Sequence, residues 1–255
     1  MNDLVKRIWV RRTLALSALI LLWEATGWAG LINPLYAAPP SEVAALSWGL
    51  FADGSIWPHL QATFSAALLG LAVGLAIGIV LGFAAALIPL LAALLEPVML
   101  LLNAVPRVIL APLFVIWMGI DLGSKVALAT VLVAVLIFFA VYSGVREVDQ
   151  RLVERVRTLG GGKAVLVREV YVPSVVSWVM GNLKVAVGFA FTGAVVGEFI
   201  VANAGLGFLI NLARSQFDTP LVFVAVITLA LMAGTLYAAV SLLERRLLAW
   251  QKRGH

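Results

Sequence analysis

Five side chains with hydrogen-bonding or charged groups in otherwise apolar stretches are candidates to line a path: Asn103 and Arg107, Asn182 and Lys184, and Glu198. An ionisable group in hydrocarbon is costly, so it faces a bundle interior or a watery path. Arg107 and Lys184 are placed to attract an anion. Arg107 either lines a cavity or bonds carbonyls freed by Pro106 and Pro112. Lys184 either lines the path or snorkels to the cytoplasmic surface. Glu198 is expected near the outer end of a span, as a gate contact or in a structural ion pair. Covalent chemistry has no support: there is no cysteine, and two histidines, His59 and His255, are too few for a metal centre. Gly160-Gly161-Gly162-Lys163 invites a phosphate-loop reading. That pattern needs a glycine where Arg157 stands and a Ser or Thr where Ala164 stands, with a strand before it. Nucleotide chemistry therefore belongs to another polypeptide.

The densest polar segment runs from 146 to 168. It holds Arg146, Arg151, Arg155, Arg157, Lys163 and Arg168, with Glu147, Asp149 and Glu154 among them. Charge at this density is excluded from hydrocarbon, so the segment is a water-facing loop between two spans. Val148, Leu152, Val153, Val156 and Leu159 recur at helical spacing, which predicts an amphipathic helix over 147–159. Gly160 to Gly162 end it. A second short helix, over about 163–171, is expected to lead to Pro173 at the first turn of the next span. The expected product is a helix–turn–helix along the membrane, suited to docking a partner.

What must position these groups is a membrane domain. The 255 residues are 63% hydrophobic and 12% charged, with mean hydropathy +1.06. Soluble domains carry about 25% charged residues. Net charge is +5 and the sequence pI about 9.9; basic loops follow from how spans insert, and nucleic acid is not implied. A span needs about 20 apolar residues. Six are expected, at 11–32, 61–88, 92–118, 124–145, 173–201 and 219–246, forming one domain over 1–255. The first is too long for a cleaved signal. Residues 33–60 read as turns around one short helix at 41–52. The two tails and the charged loop hold fourteen of the eighteen Lys and Arg residues, so all three are expected in the cytoplasm. Gly70, Gly74, Gly78 and Gly82 recur every four residues and predict close helix packing within the protomer. Gly193 and Gly197 repeat the spacing, and Gly181 and Gly188 add small positions. Glu24 and Glu96 are expected to cap or pair, and Asp121 and Lys125 to flank a tight outer turn.

At Glu154…Gly160…Val170-Tyr171-Val172-Pro173 the sequence resembles the cytoplasmic loop of bacterial ABC importer permeases, where Glu-Ala-Ala, three residues, a Gly and nine residues precede Ile-x-Leu-Pro. Arg155 and Val156 stand where two alanines are usual. Arg157-Thr158-Leu159-Gly160, Pro39-Pro40-Ser41, Ala104-Val105-Pro106-Arg107, Trp117-Met118-Gly119-Ile120 and Gly197-Glu198-Phe199-Ile200 resemble the nitrate, sulfonate and taurine branch. The resemblance implies an all-α permease of the type I importer fold, with no ATPase activity of its own. It implies that Glu154, Arg157, Thr158, Leu159, Gly160 and Gly161 couple to ATPases. It also implies a homodimeric path in the inner membrane, two cytoplasmic ATPase subunits that bind ATP and magnesium, and a periplasmic binding protein. The cargo it implies is a small anion (sulfonate, taurine, nitrate or aromatic carboxylate). A pyrimidine or vitamin precursor is the near alternative. An ion-coupled secondary transporter would need internal repeats, and none is evident.

Overall fold

A computed structural model describes residues 2–31, 33 and 35–247; Pro34, Lys252, Arg253 and His255 lie outside the described residues. Every element among the described residues is helical. The helices are α1 (Asn2–Trp28), α2 (Pro40–Ala52), α3 (Trp57–Leu87), α4 (Pro89–Ala104), α5 (Ala111–Met118), α6 (Leu122–Arg146), α7 (Gln150–Thr158), α8 (Lys163–Leu166), α9 (Val172–Ile200), α10 (Leu206–Gln216) and α11 (Thr219–Leu247). A 3₁₀ turn (Arg107–Leu110) precedes α5, and a π-helical segment (Val167–Tyr171) joins α8 to α9.

The core is a three-helix block of α3, α6 and α9. Lipid tails are as apolar as leucine, so spans associate by close packing rather than by the hydrophobic effect. The glycine strip of α3 provides it. A Cβ on Gly74 would lie 2.6 Å from Val133 Cβ, and one on Gly78 2.7 Å from the Ala134 carbonyl oxygen. Gly70 meets Ala129, and Gly82 meets Phe138 and Val141. Gly193 and Gly197 of α9 press on α6 in the same way, at Ala129 and Lys125. The expected packing within the protomer is therefore present. Gly181 and Gly188 differ, because among the described residues nothing outside their own helix comes within 4 Å of a Cβ placed on either.

Three expectations need correction. The stretch 92–118 is not one straight span: α4 and the Arg107–Met118 unit meet at 99°. Val105 precedes Pro106 and is held extended (φ −84°, ψ 139°), as the proline ring demands. The helix expected over about 163–171 does not lie apart from the next span. It continues through the π segment into α9, and Lys163–Ile200 is one helix of 38 residues. Pro173 is the second residue of α9, just past the π segment, so it does not stand at a free helix start as expected. Residues 202–218 are not a plain loop but carry α10, which the mixed residues of that stretch concealed.

Of the described helices, four are long and apolar enough to cross a membrane, and a fifth crossing arises if α4 and α5 count together. Helix α1 has Arg11, Arg12 and Glu24 within its apolar length. Glu24 caps α2 from a distance. Its Oε2 accepts from the Ser41 N–H (3.0 Å), and its Oε1 accepts from Ser41 Oγ and Trp28 Nε1, each at 2.6 Å. This is the capping role expected of it. Glu96 accepts from the Tyr142 hydroxyl (3.0 Å), which in turn accepts from Arg146 (2.6 Å).

Candidate functional site

The polar turn between α6 and α9 is built from its residues outward. Asp149 is the N-cap of α7, and its side chain accepts from the Arg151 N–H at 2.8 Å. At the other end Gly160 takes φ +81°. The Gly160 N–H reaches the Arg157 carbonyl and the Gly161 N–H the Val156 carbonyl, both at 2.9 Å. This pair of bonds is the Schellman closure, with glycine at the one left-handed position. Only Val153 anchors the short helix inward, at 2% exposure. Glu154, Arg155, Arg157 and Thr158 face outward. Leu159 is 82% exposed and Leu152 also lies open, so the apolar face expected of this helix is largely uncovered by the chain itself. A cavity of about 490 Å³ lies between α7 and the start of α9, with Leu152, Val156, Leu159, Val170 and Pro173 on its walls. The result is a rigid knob with apolar contacts to offer.

The five candidate path residues do not share one site. Arg107 Nη1 donates to the Leu132 carbonyl of α6 (3.1 Å) and Nη2 to Asn103 Oδ1 (3.0 Å). Its guanidinium lies 5.3 Å from the ring centre of Phe189. These residues, with Thr192, line a cavity of about 310 Å³ at the break between α4 and α5. The arginine thus lines a cavity, and the carbonyl it bonds is not one freed by a proline. An arginine has five donors; two are used here. Lys184 Nζ pairs with Glu244 of α11 at 2.5 Å and lies 5.7 Å from the Tyr237 ring centre. Asn182 turns back on its own helix, donating to the Trp178 carbonyl (2.9 Å).

Glu198 is 1% exposed, and it makes no ion pair among the described residues. Its Oε2 accepts from Thr63 Oγ1 and from the Gly207 N–H, each at 2.9 Å. Thr63 Oγ1 accepts from the Leu206 N–H (2.8 Å), and His59 Nδ1 accepts from the Gly205 N–H (3.1 Å). Three successive donors at the start of α10 are thereby satisfied by side chains of α3 and α9. The sequence reading overlooked Thr63 and His59. The hint available was Gly205-Leu206-Gly207 close behind a carboxylate in an apolar span. Lys125 and Asp121 do flank the turn before α6. Gly119 bends there at φ +80°, and Lys125 Nζ donates to the Ile120 carbonyl at 2.7 Å.

Comparison with known proteins adds the lineage. Residues 74–249 match the family model described as the inner membrane component of binding-protein-dependent transport systems. The riboflavin transport system permease protein of Chloroflexus aurantiacus is 41% identical over 92% of this chain and 88% of its own length. The formylaminopyrimidine transport permease of Halalkalibacterium halodurans is 31% identical over 94% and 96%. The aliphatic sulfonates transport permease of Escherichia coli is 32% identical over 93% and 90%. Among solved structures, an amino acid ABC transporter matches with TM-score 0.58 at 18% identity, over 77% of this chain and 98% of that one. An inward-facing methionine ABC transporter matches equally well at 20% identity, over 75% and 93%. These likenesses identify the type I importer permease fold. The chain belongs to the family of binding-protein-dependent transport system inner membrane components: it is a permease subunit of an ABC importer.

Proposed function

We propose that two copies of this chain form the translocation path of an ATP-driven importer in a bacterial inner membrane. Both termini and α7 face the cytoplasm. Two separate ATPase subunits bind ATP and magnesium, and a periplasmic binding protein delivers the solute. The observation that carries this is the knob: a short helix closed by a left-handed glycine, with Leu152 and Leu159 left uncovered. Apolar side chains on a preformed helix fit a groove on a partner. Glu154, Arg157, Thr158, Leu159, Gly160 and Gly161 form the coupling surface. The face of α9 through Gly181, Val185, Gly188 and Thr192 is open and runs to the Arg107 cavity, which supports a path between two copies. Asn103 and Arg107 line that path, while Asn182, Lys184 and Glu198 shape its walls.

The cargo reading that the geometry favours is a small organic anion, a sulfonate or taurine among them, because Arg107 presents a guanidinium with spare donors to a cavity. A second reading, a vitamin or pyrimidine precursor, is favoured by the 41% identity to the riboflavin permease. Co-expression with an ATPase and a binding protein from the same genome tests the machine. Stable co-purification and ATP-dependent uptake are expected, and uptake by this chain alone would refute it. Uptake of radiolabelled taurine against riboflavin decides the cargo. For an anion, Arg107→Ala lowers uptake at least tenfold and Arg107→Lys, which keeps the charge but loses the fork, by about threefold. Equal, near-normal transport in both variants removes Arg107 from the path.

A further inference from the structure

The capping cluster at the start of α10 has an unusual cost. A carboxylate nearly out of contact with solvent is held by one oxygen, Oε2, while Oε1 has no hydrogen-bond partner. Burial of a charge is expensive unless it is fully paired. The backbone is shaped to accept this side chain. Gly205 has φ +123°, and a Cβ there would run into the Glu198 carboxyl. A Cβ on Gly207 would lie 2.9 Å from Glu198 Cβ. A simple helix cap needs none of this, since a Ser or Asp at the N-cap does the same locally. What the long-range arrangement adds is placement. It fixes the turn before α10 relative to both α3 and α9.

That turn is the wall of a second cavity. A space of about 390 Å³ on the same side of the molecule is bounded by Gln61 and Ser65 of α3, Asp121 and Lys125 at the start of α6, and Asn203 and Ala204 of the turn. Asn203 and Ala204 immediately precede Gly205, whose N–H is held by His59. Lys125 is 7% exposed and packs its stem against Gly197, next to Glu198. The cavity has a mixed polar and apolar lining, opens at the end of the bundle opposite the coupling knob, and has the Asn203–Ala204 turn as one wall.

We propose that Glu198 is a positioning residue for admission of solute: through Thr63 and the Gly207 N–H it sets the Asn203–Ala204 wall of this outer cavity. The role is geometric. The side chain must reach from α9 to two donors at once, which a glutamine does and an aspartate, one methylene shorter, does not. This rests on the importer reading for its direction of transport. The placement of the wall does not depend on it.

Two substitutions separate geometry from charge, Glu198→Gln and Glu198→Asp, and Thr63→Val removes the other half of the clamp. The chain has no native cysteine, so Asn203→Cys is a unique reporter. Its labelling by a polyethylene glycol maleimide is measured in permeabilised membranes, where both faces are reached. Labelling is expected at least fivefold faster with Glu198→Asp or Thr63→Val, and within twofold of the parent with Glu198→Gln. In the full complex, the half-saturating concentration of radiolabelled taurine or riboflavin, whichever is taken up, rises at least fivefold with Thr63→Val. The maximal rate stays within twofold. Equal labelling in every background overturns the proposal. So does an unperturbed Asp variant beside a perturbed Gln variant, or a fall in maximal rate at unchanged half-saturation. If neither solute is taken up, the cargo reading fails and the labelling rates alone decide this one.

Discussion

Exchanging one methyl group between α3 and α6 tests whether the glycine strip holds the core together. A Cβ added to Gly70 falls onto Ala129 Cβ, closer than two carbon atoms tolerate, while its next neighbours, Ala129 C and Thr130 N, are at 3.3 Å. The single obstruction is thus the Ala129 methyl. In Gly70→Ala the helices must part by about 1 Å, and a gap of that size forfeits a quarter to a half of each dispersion contact along the seam. Overpacking of this kind costs about 1–3 kcal/mol. Ala129→Gly alone loses a buried methyl, about 0.8 kcal/mol, and about 1 kcal/mol of helix propensity. In the double variant the methyl moves across the seam and the worst collision is removed, leaving two backbone contacts at 3.3 Å that relax by a few tenths of an ångström. The coupling term of the cycle should therefore favour the double variant by about 2 kcal/mol. Unfolding of the purified chain by titration with sodium dodecyl sulfate in mixed micelles reads it. A coupling term within about 0.5 kcal/mol of zero refutes the reasoning, for it would mean the strip does not set the α3–α6 distance.

Two further predictions concern the knob and the intramembrane ion pair. Gly160→Val forces a branched residue into φ +81°, which costs about 1–2 kcal/mol and opens the turn; solute uptake should fall at least tenfold while ATP hydrolysis by the assembled complex stays within threefold, and normal uptake would defeat the coupling assignment. Lys184→Met leaves the Glu244 carboxylate without its partner in a largely covered site and should destabilise by about 2 kcal/mol, whereas Lys184→Met with Glu244→Leu should cost less than about 1 kcal/mol, read by the same titration.

What the sequence disclosed follows the reach of its signals. The knob was legible because helical spacing and a glycine corner are both local. The α3 strip was legible because a four-residue glycine period has one meaning in an apolar helix. The break at Val105-Pro106 was not drawn, although the prolines were seen: hydropathy over 92–118 is continuous, and only the extended backbone before Pro106 turns the chain by 99°. The Lys184–Glu244 pair was not drawn, for a different reason. Glu244 is 60 residues from Lys184 on another helix, and no local pattern couples them. The same holds for Thr63 with Glu198, 135 residues apart. Long-range polar pairs are invisible to periodicity because they depend on which helix faces meet.

The continuity of Lys163–Ile200 changes how the two ends of the molecule are related. At a rise of 1.5 Å per residue its 38 residues extend about 57 Å. The glycine corner of the knob adjoins one end, and Glu198 lies two residues from the other. The only departure from α-helical bonding along it is the π segment Val167–Tyr171, a register change near the knob rather than a hinge near the path. Beyond it the helix is stapled to α6 at both ends, by Ser174 Oγ donating to the Gly144 carbonyl at 2.6 Å and by Gly197 seated against Lys125. The glycine strip then locks α6 to α3. A packed block of this kind does not bend by small steps. Under the proposed coupling, force applied at the knob would move α3, α6 and α9 together and carry the outer cavity wall with them, because Glu198 and Thr63 stand on two of those helices. Relative motion has to be taken up where packing is sparse, at the exposed α1 and at the broken α4–α5 unit that carries Arg107. The break that sequence analysis did not place is thus the joint that a rigid block requires.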